Sequence, residues 1–286
     1  MSHMLLMSFD DSHIMNLNRT LNRFLEYAFS LIEKATIQFC YIGTASNDSL
    51  IERKFFTRFV SSKFRKKVIT SELVLTKSQL TKEQLESYLA QQDILFIGGG
   101  NTEKMLEIWE KSGFTSVLNK LKTEKRLPVL AGVSAGGMYP FYSVLSDVMP
   151  GQYKALLGLG WLKESFCPHA NSKKKSLCDY SKNQYLERME AYVIAVKQGL
   201  LPSGYAVPND CMLHFENFNL VKTISSLQNN QCYYVTHEKV FALETIYAAV
   251  SSNPNIRLEC WSRGFKYLHH FKQWAKKLHL WTKRTI

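Results

Sequence analysis

The chain has 286 residues, with 45% hydrophobic content and a formal net charge of +12. That is enough apolar material for a sizeable core in one large domain or two small ones. No apolar run approaches the roughly 18 residues needed to span a bilayer, no tract is of low complexity, and no internal repeat is found, so a membrane span, a disordered chain and a solenoid are all excluded as expectations.

The N-terminus, Met1 to Met7, is too short in its apolar part and too soon acidic, at Asp10 and Asp11, for a signal peptide. Ser2-His3-Met4 reads as a cloning remnant, and a cytoplasmic location is expected. Residues 12–34 carry Leu17, Leu21, Phe24, Leu25, Ala28, Leu31 and Ile32 at helical spacing. Ile37–Ile42 is strand-like and Gly43–Ser46 turns. Residues 49–64 read as a helix with Phe55, Phe56 and Phe59 inward, 71–75 as a short strand, and Thr81 or Ser78 as the cap of the next helix. A buried strand over 93–97 closes on Gly98-Gly99-Gly100-Asn101-Thr102. Helices are expected over 102–109 and 114–121, then a strand over 127–131.

That strand runs into Gly132-Val133-Ser134-Ala135-Gly136, the sequence form of a nucleophile elbow. A sharp strand-to-helix turn leaves one hydroxyl, that of Ser134, at the top of the sheet. Two glycine-rich strand ends with a helix between them describe a βαβ unit whose loops share the carboxyl edge of the sheet, where ligands bind in open α/β sheets. Bare N–H groups of Gly99 or Gly100, with that of Ala135, can then face a developing oxyanion. Alternation of strand and helix through the first half calls for a mostly parallel sheet covered on both faces.

Beyond the elbow the sequence reads as a loop over 143–158, a short strand or turn at 161–166 and a helix over roughly 180–199. Strands follow at 204–207, 212–215, 220–224, 232–236 and 240–243, expected as antiparallel additions. One domain is expected over 1–252. Residues 253–286 form a basic, aromatic tail, helical over 265–280; from Arg263 to Ile286 there are seven Lys or Arg and no acid. Further basic clusters lie at Lys63, Arg65, Lys66 and Lys67 and at Lys173 to Lys175. None sits in a nucleic-acid-binding motif, so solvated basic faces are expected. The six cysteines lack ligand spacing and read as free thiols without a metal site.

A serine hydroxyl needs a base. Of eight histidines, His214 alternates with core residues on a strand and reads as structural, and His237 reads as solvent-facing. His169 follows Phe166-Cys167-Pro168, with Pro168 stiffening the backbone before it, and suits a general base.

The order Phe96 to Thr102, Gly132 to Gly136, Cys167-Pro168-His169 and Gly204 to Val207 leading into Met212 to Phe215 resembles the peptidase E / cyanophycinase family of serine peptidases. The resemblance covers roughly residues 37–245. It implies a flavodoxin-like α/β three-layer sandwich related to class I glutamine amidotransferases, cleavage of short peptides or isopeptides next to aspartate, and no metal or other cofactor. It makes Ser134 the nucleophile, His169 the base, the N–H groups of Gly99 or Gly100 and of Ala135 the oxyanion donors, and places Asn101 and Asp147 in the substrate site. The chain departs from the family at the third triad position, where relatives carry an acid. Alignment on Leu213 puts Asn209 there; a one-residue shift brings in Asp210. Ala170 stands where relatives often have an aromatic.

The expectation is a serine hydrolase of small peptides, acting without nucleic acid or membrane, with a homodimer left open. The first alternative is a weakened or inactive homologue that serves as a binding protein. The second is an α/β-hydrolase esterase, in which His214 or His237 would follow Asp210 as the base.

Overall fold

The computed structural model describes residues 1–9, 14–64, 67–149, 152–172 and 187–248. These belong to one compact unit; the tail expected over 253–286 and the lysines at 173–175 lie outside them.

The apolar run at the N-terminus, read above as a failed leader, builds a central strand, β1 (His3–Ser8). Met4 and Leu6 enter one face of the sheet and Leu5 and Met7 the other, as period-two alternation requires. Its neighbours explain why the run is apolar throughout: β1 is parallel to β5 (Val129–Val133) on one side and antiparallel to β10 (Cys211–Glu216) on the other. Beyond β5 the sheet continues in parallel through β4 (Ile94–Ile97), β2 (Ile37–Ile42) and β3 (Val68–Leu73). Beyond β10 it adds β11 (Asn219–Ser225), antiparallel, and β14 (Thr245–Tyr247), parallel to β11. The eight strands run β14-β11-β10-β1-β5-β4-β2-β3.

Helices cover both faces. On one lie α1 (Ile14–Ser30) and α2 (Leu50–Phe64), where Leu21, Phe24, Leu25, Phe29 and Val60 pack on Leu5, Phe39, Phe96 and Ala131. On the other lie α3 (Lys82–Ala90), α4 (Thr102–Lys111) and α5 (Phe114–Thr123), which bring Leu85, Leu89, Met105, Trp109, Phe114 and Leu118 onto Cys40, Ile42, Leu95, Ile97 and Leu130. Each fully buried side chain of this kind contributes about 1.5–3 kcal/mol relative to exposure. Thr81 caps α3 in a reciprocal box with Gln84: the Thr81 hydroxyl accepts from Gln84 N–H at 3.3 Å and the Gln84 side chain accepts from Thr81 N–H at 2.9 Å.

The segment expected as a loop over 143–158 is instead a hairpin, β6 (Phe141–Met149) and β7 (Gln152–Leu157). It belongs to a second, six-stranded sheet, β13-β12-β9-β8-β6-β7. There β6, β8 (Leu162–Pro168) and β9 (Gly204–Val207) are parallel, while β12 (Tyr233–Val235) and β13 (Val240–Ala242) are antiparallel additions. Its inner face, with Phe141, Phe166 and Tyr205, joins the core around Leu213 and Phe215. Its outer face takes α7 (Arg188–Lys197) through Tyr192 and Val196. The helix expected over 180–199 is described only from Arg188 onward.

Candidate active site

Ser134 stands between β5 and the four-residue helix α6 (Ala135–Met138), with φ 53° and ψ −115°. A non-glycine residue in that conformation costs energy and persists only where its surroundings hold it, a habit of functional turns. Two backbone bonds hold it: Ser134 N–H donates to Met7 C=O at 3.1 Å, and Gly137 N–H donates to Ser134 C=O at 2.8 Å. The flanking glycines are set by close approach. A Cβ on Gly132 would fall inside the carbonyl of Gly136, and one on Gly136 would strike the carbonyls of Ile97 and Gly98. The chain therefore folds back on the end of β4 so tightly that only hydrogen fits.

That contact brings the glycine loop after β4 beside the hydroxyl. A Cβ on Gly99 would lie 3.3 Å from Ser134 Cβ and 3.9 Å from its Oγ. Among the described residues no acceptor lies on the N–H of Gly99, Gly100 or Ala135. Asn101 is otherwise engaged: its side chain caps α4 by accepting from Lys104 N–H at 2.9 Å, and its N–H donates to Ala45 C=O at 2.8 Å.

His169 directly follows β8 and also has positive φ, 56°. Its N–H donates to the buried hydroxyl of Ser8 at 2.8 Å. Its Nδ1 lies 2.6 Å from Asn209 Oδ1. An amide oxygen only accepts, so Nδ1 carries the proton; in the neutral ring Nε2 then holds the lone pair. Met7 and Ser8 are successive residues of β1, so Ser134 and His169 are tied to the same strand end.

Asn209 is itself held on several sides. Its N–H donates to Asn171 Oδ1 at 2.7 Å, its carbonyl accepts from Asn230 Nδ2 at 2.7 Å, and its Nδ2 lies 3.5 Å from Ser172 Oγ. Asp210, the other candidate for this position, turns elsewhere. Its carboxylate accepts from the Thr20 hydroxyl on α1, and its carbonyl accepts from Ser226 N–H at 2.9 Å and Ser225 Oγ at 3.1 Å.

Asp147 lies near the end of β6. The pairing of β6 with β8 runs through Ser143 with Ser165 and Val144 with Phe166. The Asp147 carboxylate, 55% exposed, pairs at 2.6 Å with the guanidinium of Arg188, 5% exposed, which also donates to Leu145 C=O at 2.8 Å. Arg188 was not foreseen. Its signal was present: it falls in register with Tyr192, Ala195 and Val196 on the buried face of α7, an unusual place for a cation. Ser8 was also missed, and a lone serine at the end of an apolar run carries no signal.

The remaining polar groups are structural. His214 is buried, with Nε2 3.0 Å from His3 Nδ1 and Nδ1 2.8 Å from the Tyr27 hydroxyl. Burial, with help from His3 and Lys222, lowers its pKa to about 4. His237 is exposed. Burial pushes the Cys40 and Cys167 thiols up to about 11, which leaves them inert as nucleophiles near neutrality. Among the described residues no group of three or more His, Cys, Asp or Glu could hold a metal ion, and no helix is long and apolar enough to cross a membrane.

Comparison with known proteins places the chain in a family. The family model described as peptidase family S51 matches residues 4–223. An uncharacterized peptidase, YgaJ, of Bacillus subtilis strain 168 is 30% identical over 210 residues, 73% of this chain and 83% of that protein. The crystal structure of a peptidase from an acI-B1 actinobacterium superposes with a TM-score of 0.52 at 14% identity, covering 85% of this chain and 94% of that one, a likeness of fold. From the first core strand to β11, the chain belongs to peptidase family S51.

Proposed function

We propose that the chain is a serine peptidase of small peptides that works through an acyl-enzyme on Ser134. His169 Nε2 takes the hydroxyl proton as Oγ bonds to the scissile carbonyl carbon. The N–H groups of Gly99 or Gly100 and of Ala135 receive the oxyanion. The proton passes from His169 to the leaving amine as the C–N bond breaks, and water, deprotonated by the same ring, releases the acid. Asn209 keeps the ring in the Nδ1–H tautomer. The observation that carries this reading is the fastening of Ser134 and His169 to adjacent residues, Met7 and Ser8.

An acidic substrate side chain, as in an aspartyl dipeptide, suits the net charge of +12. Hydrolysis of an aspartyl dipeptide by the wild type, abolished in Ser134→Ala, is the expected result; undiminished hydrolysis by Ser134→Ala overturns the proposal. Asn209 favours a second reading. Its amide brings no negative charge to the imidazolium, which in the known acid-to-amide case cost about 10⁴ in rate. A protein that binds the dipeptide equally with and without the Ser134 hydroxyl, and hydrolyses it in neither form, is a binding protein.

A further inference from the structure

We infer that Ser8 is a positioning residue of this site: its hydroxyl selects which end of the Asn209 amide His169 meets. The kinetic part of the inference rests on the peptidase reading; the orientational part does not.

With a carboxylate in the place of Asn209, orientation would be simple. A carboxylate accepts through either oxygen, so any rotation about its last bond offers an acceptor to Nδ1–H. An amide offers an acceptor on one side and a donor on the other. With the donor turned inward, the proton of His169 would have to leave Nδ1 for Nε2, and the ring would lose the lone pair that a base needs. A chain with asparagine here therefore needs something that tells the two ends apart.

Ser8 has the means. It is fully buried, at 0% exposure, at the end of the central strand β1. Its Oγ accepts the N–H of His169 at 2.8 Å, so its own proton must be placed elsewhere. Among the described residues the acceptor within reach is Asn209 Oδ1, at 3.4 Å. That contact is longer than an ordinary O–H···O bond. Its effect is one of sign. With Oδ1 inward, the Ser8 proton and His169 Nδ1–H both point at an acceptor. With Nδ2 inward, both point at a donor, and a buried hydroxyl proton is left unpaired, which is costly. The partner on the far side, Ser172 Oγ at 3.5 Å, is a hydroxyl that serves as donor or acceptor and does not discriminate. Ser8 thus holds the His169 backbone and orients the group that holds its ring.

The test is a double-mutant cycle on the full chain with an imidazole readout. In the wild type, nitrogen NMR of the His169 ring is expected to show the Nδ1–H tautomer. Ser8→Ala is expected to shift it toward Nε2–H, and Ser8→Thr, which keeps the hydroxyl, to retain Nδ1–H. Asn209→Asp removes the choice of ends, so Ser8→Ala in that background is expected to leave the tautomer unchanged. In turnover of an aspartyl dipeptide, Ser8→Ala is expected to lower kcat roughly tenfold with KM little altered, the size of one lost hydrogen bond. In the Asn209→Asp background the loss is expected to be at most about threefold. A His169 ring that stays Nδ1–H in folded Ser8→Ala overturns the inference, as does an equal kcat loss in both backgrounds. A tautomer shift in a protein that hydrolyses nothing upholds the positioning role and removes the peptidase reading alone.

Discussion

The two ends of β1 each meet a histidine. At its beginning, His3 and the Tyr27 hydroxyl take both nitrogens of His214. At its end, Ser8 takes the backbone of His169 and Asn209 takes Nδ1 of its ring. Both rings are held by neutral partners, so the kind of partner does not separate a structural histidine from a base. Surroundings do. His214 is 3% exposed, with a second imidazole and Lys222 near enough to disfavour a positive charge. His169 is half-buried, on a loop at the carboxyl edge of both sheets, and its Nδ1 meets an amide oxygen, which puts the lone pair of the neutral ring on Nε2.

Removing each ring separates the two ends most sharply. His169→Ala is expected to lower kcat/KM for an aspartyl dipeptide by about 10⁴ or more, since members of such a site act as a unit. His214→Ala is expected to leave kcat/KM within about threefold while costing roughly 2–4 kcal/mol of stability, as loss of a buried, bonded side chain does. Chemical denaturation with parallel kinetics checks both. Equal kinetic losses would erase the distinction.

The pH dependence of stability is the next effect in size. His214 has a folded pKa of about 4 against an ordinary 6.5, so the unfolded chain binds the proton more tightly. The stability tied to the neutral ring is present above pH 6.5 and is lost as pH falls toward 4, an effect of the order of 2–3 kcal/mol. His214→Gln is expected to flatten that slope in urea titrations at pH 7, 5.5 and 4; an unchanged slope would assign acid sensitivity elsewhere. Smallest is Asp210→Asn, which weakens the bond to Thr20 and is expected to cost about 1 kcal/mol with kcat/KM altered less than twofold. A large kinetic loss there would restore Asp210 as the group behind His169.

Much of this was legible in the residues. The elbow and the glycine loop are visible because close backbone approach admits only glycine, and that demand is written locally. His169 is visible because Pro168 marks a rigid strand end. The parallel half is visible because buried strands are short apolar runs between amphipathic helices. What was hidden depends on distant partners. Met4 to Met7 are an apolar run with no helix before them, and only pairing with both β5 and β10 makes them a central strand. The hairpin of β6 and β7 passed for a loop because β7 is an edge strand, where exposed Gln152 and Leu157 blur the alternation. The choice between Asn209 and Asp210 turns on one residue of register, decided by Thr20, Ser225 and Ser226 far away in sequence.

The most direct measurement is labelling of the folded chain with a fluorophosphonate, followed by intact mass and peptide mapping. One adduct is expected, on Ser134, formed at similar rates in the wild type and His214→Ala and lost in His169→Ala. An unlabelled wild type, or a His169→Ala variant labelled at the wild-type rate, would contradict a serine nucleophile activated by His169.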